Sequence, residues 1–397
     1  MIKRKIIYDS ILNIFASAIP IIILQIVVLP IIGLHLGDEK YGLAVTLISF
    51  ATLFSLPFGN VLNNVRLLMD REYNDTPSNG DFNILLLFSV VINAIIMISG
   101  TIYYHESAVG VFLVTLFSSF NILREYLLVS FRIRLNYKGI LINNIILGIG
   151  YIIGLLIFKI SGYWQFVYVI GSLVSLVYII NNSKLLSNNF KITKFFKVVS
   201  YKSFVLFIST FMKTGLTYAD KIILYPLIGP SGVSIYYSAT LMGKIISMAI
   251  TPISSVMLSY LSKMEKLKLK DFFAIIMTIS AIGMVGYFII IFISRPILDL
   301  LYPKWADESL KLIHLTTATA IIGVLSSVIH PIILRFNHIN WQLFINIFNL
   351  IVYTLCSFIF YNLYGLIGFC FGLLLASVIK LLIMIIIFVY SYQKSYV

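Results

Sequence analysis

Acidic side chains are scarce in this sequence. It holds 15 Asp and Glu against 29 Lys and Arg in 397 residues, and charged residues of all kinds make up only 11%. Soluble domains carry about 25% charged residues, so a soluble globular class is excluded. Cysteine is nearly absent, with only Cys356 and Cys370, which excludes a disulfide-dense scaffold and leaves two apolar thiols as the expectation. The five histidines, His35, His105, His314, His330 and His338, are scattered. No metal-ligand spacing, P-loop or nucleophile elbow is found. We therefore expect no enzyme, no metal and no cofactor.

Apolar residues fill the space that charge leaves. The chain is 60% hydrophobic with a mean hydropathy of +1.01. A membrane-spanning helix needs about 20 largely apolar residues, and twelve such segments can be counted. They begin near Ser10, Leu43, Phe82, Ala108, Gly139, Gln165, Phe204, Gly232, Phe272, Leu310, Trp341 and Gly365. A transmembrane barrel would show alternating ten-residue segments instead. The expected fold class is all-α integral membrane, with twelve transmembrane helices. Lys3-Arg4-Lys5 and Ala16-Ser17-Ala18 imitate a cleaved leader. Asp9 and Asn13 interrupt its apolar part, however, so an uncleaved first helix is expected.

Orientation follows from where Lys and Arg fall. With Lys3 in the cytoplasm, alternating faces put nineteen of the 29 cations inside and five outside, with five left within spans. Both termini are expected in the cytoplasm of a bacterial inner-membrane protein. Trp164, Trp305 and Trp341 all fall at span ends, where indoles prefer to sit. The net charge of +14 is mostly this inner-face bias. It points to anionic membrane lipid as a partner, not to nucleic acid. The basic stretch from Lys184 to Lys202 reads as a connector between halves.

A short motif recurs at half the chain length. Pro30-Ile31-Ile32-Gly33 has Pro57 24 residues beyond its glycine, and Pro226-Leu227-Ile228-Gly229 has Pro252 23 residues beyond. The offset is 196 residues. An even number of spans separates the copies, which describes a parallel repeat related by a pseudo-twofold axis along the membrane normal. The expected organisation is an N-terminal six-helix lobe with its cytoplasmic connector, 1–200, and a C-terminal six-helix lobe, 201–397.

The candidate site comes from cations with no acid to match them. Lys213, Lys244 and Lys380 sit near the middle of apolar runs, where a charge costs roughly 2.5–3.5 kcal/mol. Only two acids, Glu125 and Asp220, lie in spans. Asp220 is seven residues from Lys213, about 10.5 Å along a helix at 1.5 Å per residue, so the two are not a direct pair. Arg124 and Lys221 lie near helix ends, where they are expected to snorkel. Helical spacing sets Thr210, Lys213, Thr217 and Asp220 on one stripe, and Thr240, Lys244, Ser247 and Thr251 on another. Asn13, Ser17 and Gln25 add a polar face to the first helix. Asn60, Asn63 and Asn64 do so in the second, and Asn121, Arg124 and Glu125 in the fourth. Ordinary helix packing explains any single Ser, Thr or Asn. It does not explain unpaired lysines, and an anionic substrate supplies the missing charge. Expected substrate-binding residues are Lys213, Lys244, Arg124, Lys380, Thr217, Thr240, Ser247, Asn13 and Gln25, with Asp220 and Glu125 as ion-coupling candidates. Asp38-Glu39 alone would suit a membrane glycosyltransferase or polymerase, a weaker reading.

Asp220-Lys221-Ile222-Ile223-Leu224, then Leu227-Ile228-Gly229, then Val233-Ser234-Ile235-Tyr236-Tyr237-Ser238-Ala239 resembles the polysaccharide transport flippases (Wzx-type). These belong to the multidrug/oligosaccharidyl-lipid/polysaccharide exporter superfamily. Ser234 stands where the family pattern has Gly. Leu36-Gly37-Asp38-Glu39-Lys40-Tyr41-Gly42-Leu43 resembles the equivalent turn of the first lobe. The resemblance implies movement of a lipid-linked (undecaprenyl-pyrophosphate) oligosaccharide from the inner to the outer leaflet, for O-antigen or capsule. It also implies polysaccharide polymerase machinery as a partner. Drug exporters of the same superfamily are the closest rival.

Overall fold

In lipid, backbone polar groups must find partners within their own segment. Accordingly, helices and no strands form among the described residues. The computed structural model describes residues 12, 14–74, 80–183, 185–187, 190–261, 267–337 and 340–394. The helices are α1 (Ile14–Leu68), α2 (Asp70–Asn74), α3 (Gly80–Tyr103), α4 (Ala108–Ile133), α5 (Tyr137–Ser161) and α6 (Gln165–Asn182). They are followed by α7 (Phe196–Leu261), α8 (Leu269–Leu301), α9 (Ala306–Phe336) and α10 (Asn340–Lys394). Among the described residues eight stretches are long and apolar enough to cross a membrane, in α1, α3 to α6 and α8 to α10. The chain is a multi-pass membrane protein.

Three of these helices are too long to be single spans. At 1.5 Å per residue the 55 residues of α1 cover about 80 Å, well beyond a hydrocarbon core of about 30 Å. Each of the three breaks at a glycine. Gly37 interrupts α1 with φ 74° and ψ −178°, and Gly229 interrupts α7 with φ 74° and ψ 174°. Gly365 does the same in α10 with φ 59°. A positive φ favours a residue without Cβ. These two angle pairs revise the repeat. The conformational counterpart of Gly229 is Gly37, and Gly33 lies in regular helix four residues earlier. The turns therefore correspond at an offset of 192 residues rather than 196. The Pro-x-Ile-Gly likeness aligned letters, whereas the backbone aligns the residue that must adopt positive φ. In this register Gly42 and Ser234 also correspond, and both are buried.

Backbone proximity divides the chain into two compact units, Met1–Pro230 and Ser231–Val397. In the first, Val61, Leu62 and Val65 of α1 pack with Phe82 of α3, Ile122 and Tyr126 of α4, Ile140 of α5, Ile179 of α6 and Val199 of α7. Small residues let its helices close up. A Cβ on Gly150 or Gly154 of α5 would lie 2.7 or 2.5 Å from the α6 backbone at Gly171 or Val167, the close approach that glycines permit between membrane helices. In the second unit, Ile329, Ile332 and Ile333 of α9 meet Ile345, Met384, Ile387 and Phe388 of α10. There the two arms of α10 touch at Gly368 and Gly372, against the carbonyls of Phe360 and Cys356. Cys356 and Cys370 are free thiols.

Burial at the helix ends goes further than the charge pattern alone implies. Arg66, one of the nineteen cations counted on the inner face, is only 5% exposed. Its guanidinium lies 5.2 Å from the Tyr73 ring and 5.0 Å from the Phe82 ring, and its Nε and Nη1 have no hydrogen-bond partner. The aromatic faces supply the attraction. Beside it, the fully buried Asp81 accepts from the Tyr73 hydroxyl, from the Thr193 N–H at 2.7 Å and from the Thr193 hydroxyl. Asp81 thus fastens the connector to the first unit. Burial and the Asp81 carboxylate raise the Tyr73 phenol above its ordinary value. Trp164 and Trp305 do stand at helix N-termini, but their rings are buried, Trp164 against Phe117 and Tyr168, Trp305 against Tyr302.

Candidate substrate and coupling site

The polar residues of α1 and α4 form one connected network in the first unit. Gly59 lets α1 approach α4 at Glu125, where any Cβ would lie 2.5 Å from the Glu125 Cβ. One turn on, the Asn63 side-chain amide donates to the Glu125 backbone carbonyl at 2.7 Å. Asn121 donates to the Ser55 hydroxyl at 2.9 Å, and Arg124 donates to Asn121 at 3.1 Å. Arg132 donates to the side-chain carbonyls of Asn63 and Asn64. Helical spacing had placed the asparagines on their faces. The partner that clamps them is Arg132, one of the nineteen cations counted on the inner face. Its signal in the sequence was its place one helical turn from Leu128, still within α4.

Glu125 and Asp220, the two acids expected within spans, are both committed. Arg124 and Glu125 form an ion pair, with side chains 12% and 16% exposed. Lys221 and Asp220 form another, 6% and 10% exposed. Neither cation snorkels, which corrects that expectation. A low-exposure carboxylate beside each head group outweighs the gain of reaching a helix end. Glu125 and Asp220, the two ion-coupling candidates, both lie in the first unit, each paired with a neighbouring cation.

The deep lysines differ from one another. Lys213 is exposed, and the next polar residue of its stripe, Thr217, is exposed too, its hydroxyl bonded back to the Lys213 carbonyl at 3.2 Å. Asp220, on the same stripe, is buried. The stripe is thus open at Lys213 and closed at its acid. Lys244 Nζ lies 3.4 Å from the centroid of the Tyr237 ring. It is held by an aromatic face, so a resident partner already offsets part of its cost. Thr240 donates to the Tyr237 carbonyl at 2.8 Å. Lys380 is half-buried in α10. Gln25 lies in a π-helical turn, Ile23–Val28, a distortion common at functional positions. Asn13 and the Ser247 and Thr251 side chains lie outside the described residues. Lys213 belongs to the first unit, and Lys244 and Lys380 to the second.

No family model and no curated protein matches this sequence. Solved structures do. A multidrug resistance MATE family transporter of the MOP superfamily, in an inward-facing conformation, aligns with TM-score 0.71 at 11% identity over 96% of this chain and 98% of its own. The lipid II flippase MurJ, in an inward closed conformation, aligns with TM-score 0.68 at 15% identity over 96% and 86%. A MATE structure in the bent conformation aligns with TM-score 0.64 at 12% identity over 99% and 95%. The chain has the fold of these transporters.

Proposed function

We propose that the protein is a flippase for a lipid-linked oligosaccharide, carried on undecaprenyl pyrophosphate from the cytoplasmic to the outer leaflet. The observation that carries this reading is Lys213. It is an exposed cation of α7, and Glu125 and Asp220, the acids expected within spans, are already bound to Arg124 and Lys221. An intramembrane charge of that kind calls for a ligand of opposite sign, and a pyrophosphate offers one. Lys244, Thr217 and Thr240 are assigned to the same cargo. Arg124, held by Glu125, is assigned mainly to support.

The organisation proposed with it is twelve spans with both termini cytoplasmic, in a bacterial inner membrane. Breaking α1, α7 and α10 at Gly37, Gly229 and Gly365 supports that number. The two repeats are proposed as 1–200 and 201–397, working by alternating access around a cationic cavity. An inside-negative potential favours export of negative charge by about 2.3 kcal/mol per charge per 100 mV. The fold shared with the lipid II flippase MurJ supports a lipid-linked cargo. O-antigen or capsule repeat units remain the proposed cargo class, with the polymerase machinery downstream.

A cation-coupled multidrug exporter is the second reading, favoured by Glu125 and Asp220 in the first unit and by the MATE fold. Two variants separate the readings. Lys213→Ala in a membrane-inserted protein should lower glycan export at least tenfold, read by surface labelling in cells lacking the native flippase. Unchanged export with Lys213→Ala, together with drug resistance that depends on Asp220, would establish the exporter instead.

A further inference from the structure

The second unit carries a titratable pair that the cargo site does not use. His314 lies eight residues into α9, about 12 Å along its axis at 1.5 Å per residue, within the apolar stretch Ala306–Ile333. Tyr287 lies in α8, fourteen residues before Leu301 and about 21 Å from that end. The Tyr287 hydroxyl and His314 Nδ1 are 2.9 Å apart, and the imidazole is exposed. Imidazole is the side chain whose ordinary titration falls between pH 5 and 8. An ionisable group at this depth marks a functional position by default.

We propose that His314 and Tyr287 form a proton-binding site in the second unit, and that proton occupancy there tunes the hold on anionic cargo. The effect on cargo rests on the flippase reading; the proton site does not. In the neutral Nε2–H tautomer the phenol donates to Nδ1. When a proton from water binds Nδ1, the ring gains one positive charge and its new N–H donates to the phenol oxygen. The hydrogen bond survives with its direction reversed, so both protonation states keep α8 and α9 joined.

The surrounding charges leave that added charge in place. On α9, Lys311 stands one turn away and is tied to Glu308 at 2.7 Å, while Asp307 lies 3.5 Å from Arg295. On α8, Arg295 and Asp299 lie two to three turns nearer the helix end, 3.9 Å from each other. The start of α7's second arm meets α9 through Ser238 and Ala239, bonded to Ser309 and Thr316. Thr316 is two residues from His314, about 200° round the helix. From α10, Met384 packs at Ile329–Ile333, more than 20 Å further along α9. Lys380 is one turn from Met384. Asp299, Asp307 and Glu308 thus serve Arg295 and Lys311, Asp271 lies at the far end of α8, and an imidazolium at 314 adds positive charge to this part of the second unit.

The test is a pH titration of selectively labelled histidine by NMR in nanodiscs, joined to binding of inorganic pyrophosphate. A His314 signal with a midpoint between pH 5 and 8, displaced by at least half a pH unit in Tyr287→Phe, is expected. Pyrophosphate binding should rise several-fold more between pH 8 and 5.5 in the native protein than in His314→Gln. A His314 signal that does not titrate, or that ignores Tyr287→Phe, would overturn the proton site. Equal pH dependence of binding in His314→Gln would overturn its action on the cargo. A titrating His314 in a protein that exports no lipid-linked glycan would defeat the flippase reading while leaving the proton site standing.

Discussion

The two compact units handle charge in opposite ways. In the first, Lys213 is exposed, but the other charges described within its helices are buried and matched: Arg124 with Glu125, Lys221 with Asp220, Asp81 with three donors, Arg66 between two rings. In the second, the ion pairs described are exposed and close to helix ends, Arg295 with Asp299 and Asp307, Lys311 with Glu308. Its interior contacts are hydroxyls instead, Ser238 to Ser309 and Thr316 to the Ala239 carbonyl. Removing one member of a buried pair strands the other, whereas exposed pairs contribute little. The first unit is therefore built to hold a fixed arrangement. The second leaves ionisable groups such as His314 open to change.

The largest effect should come from stranding a buried cation. Glu125→Ala or Asp220→Ala should cost about 3–5 kcal/mol, seen as a large fall in Tm in detergent. Glu308→Ala, in an exposed pair of the second unit, should cost less than about 1 kcal/mol. Equal losses would erase the contrast between the units.

Gly37→Ala and Gly229→Ala should each cost roughly 1–2 kcal/mol, because both force a Cβ into a left-handed backbone. Gly33→Ala, in regular helix, should escape that penalty. Similar Tm losses for Gly37 and Gly229 would sharpen the 192-residue register, and a larger loss at Gly33 would restore the register of 196.

Thr193→Val removes one of the three donors to Asp81, the Thr193 hydroxyl, and leaves the backbone N–H and the Tyr73 hydroxyl in place. A cost of about 1–3 kcal/mol is expected, with faster hydrogen exchange in the connector around Thr193. Unaltered exchange would show that Asp81 does not fasten it.

The smallest effect concerns Tyr73. Its folded phenol titrates above its ordinary value, so the neutral form is favoured in the native state. The stability it contributes is present below the unfolded value of about 10 and is lost as pH rises beyond it. Between pH 9 and 11 the native Tm should fall more steeply than that of Tyr73→Phe. Parallel curves would remove the coupling to Asp81.

Much of this was legible one helix at a time. Segment starts at Ala108 and Gln165 coincide with the first residues of α4 and α6, because apolar runs and capping signals act over a few residues. The polar faces of Asn63, Asn121 and Glu125 followed from a period of 3.6. Partners were not legible. Arg124 and Lys221 bond to the residues next to them in sequence, a contact that helical stripes do not register, and Arg132 reaches Asn63 across 69 positions. His314, one of five scattered histidines in the sequence, meets Tyr287 across 27 positions.

By itself the sequence determined that the chain lies in a membrane, that it is helical, and that its spans hold more cations than acids. Those properties follow from composition and short-range period, which lipid reads without regard to packing. Only the tertiary structure decided which cations keep a resident carboxylate, that Arg66 is enclosed by rings, and that the Gly37 turn of the resemblance, not the Pro-x-Ile-Gly likeness at Gly33, sets the register. Such outcomes depend on distances between side chains far apart in the chain and on backbone angles, and a linear order of residues specifies neither.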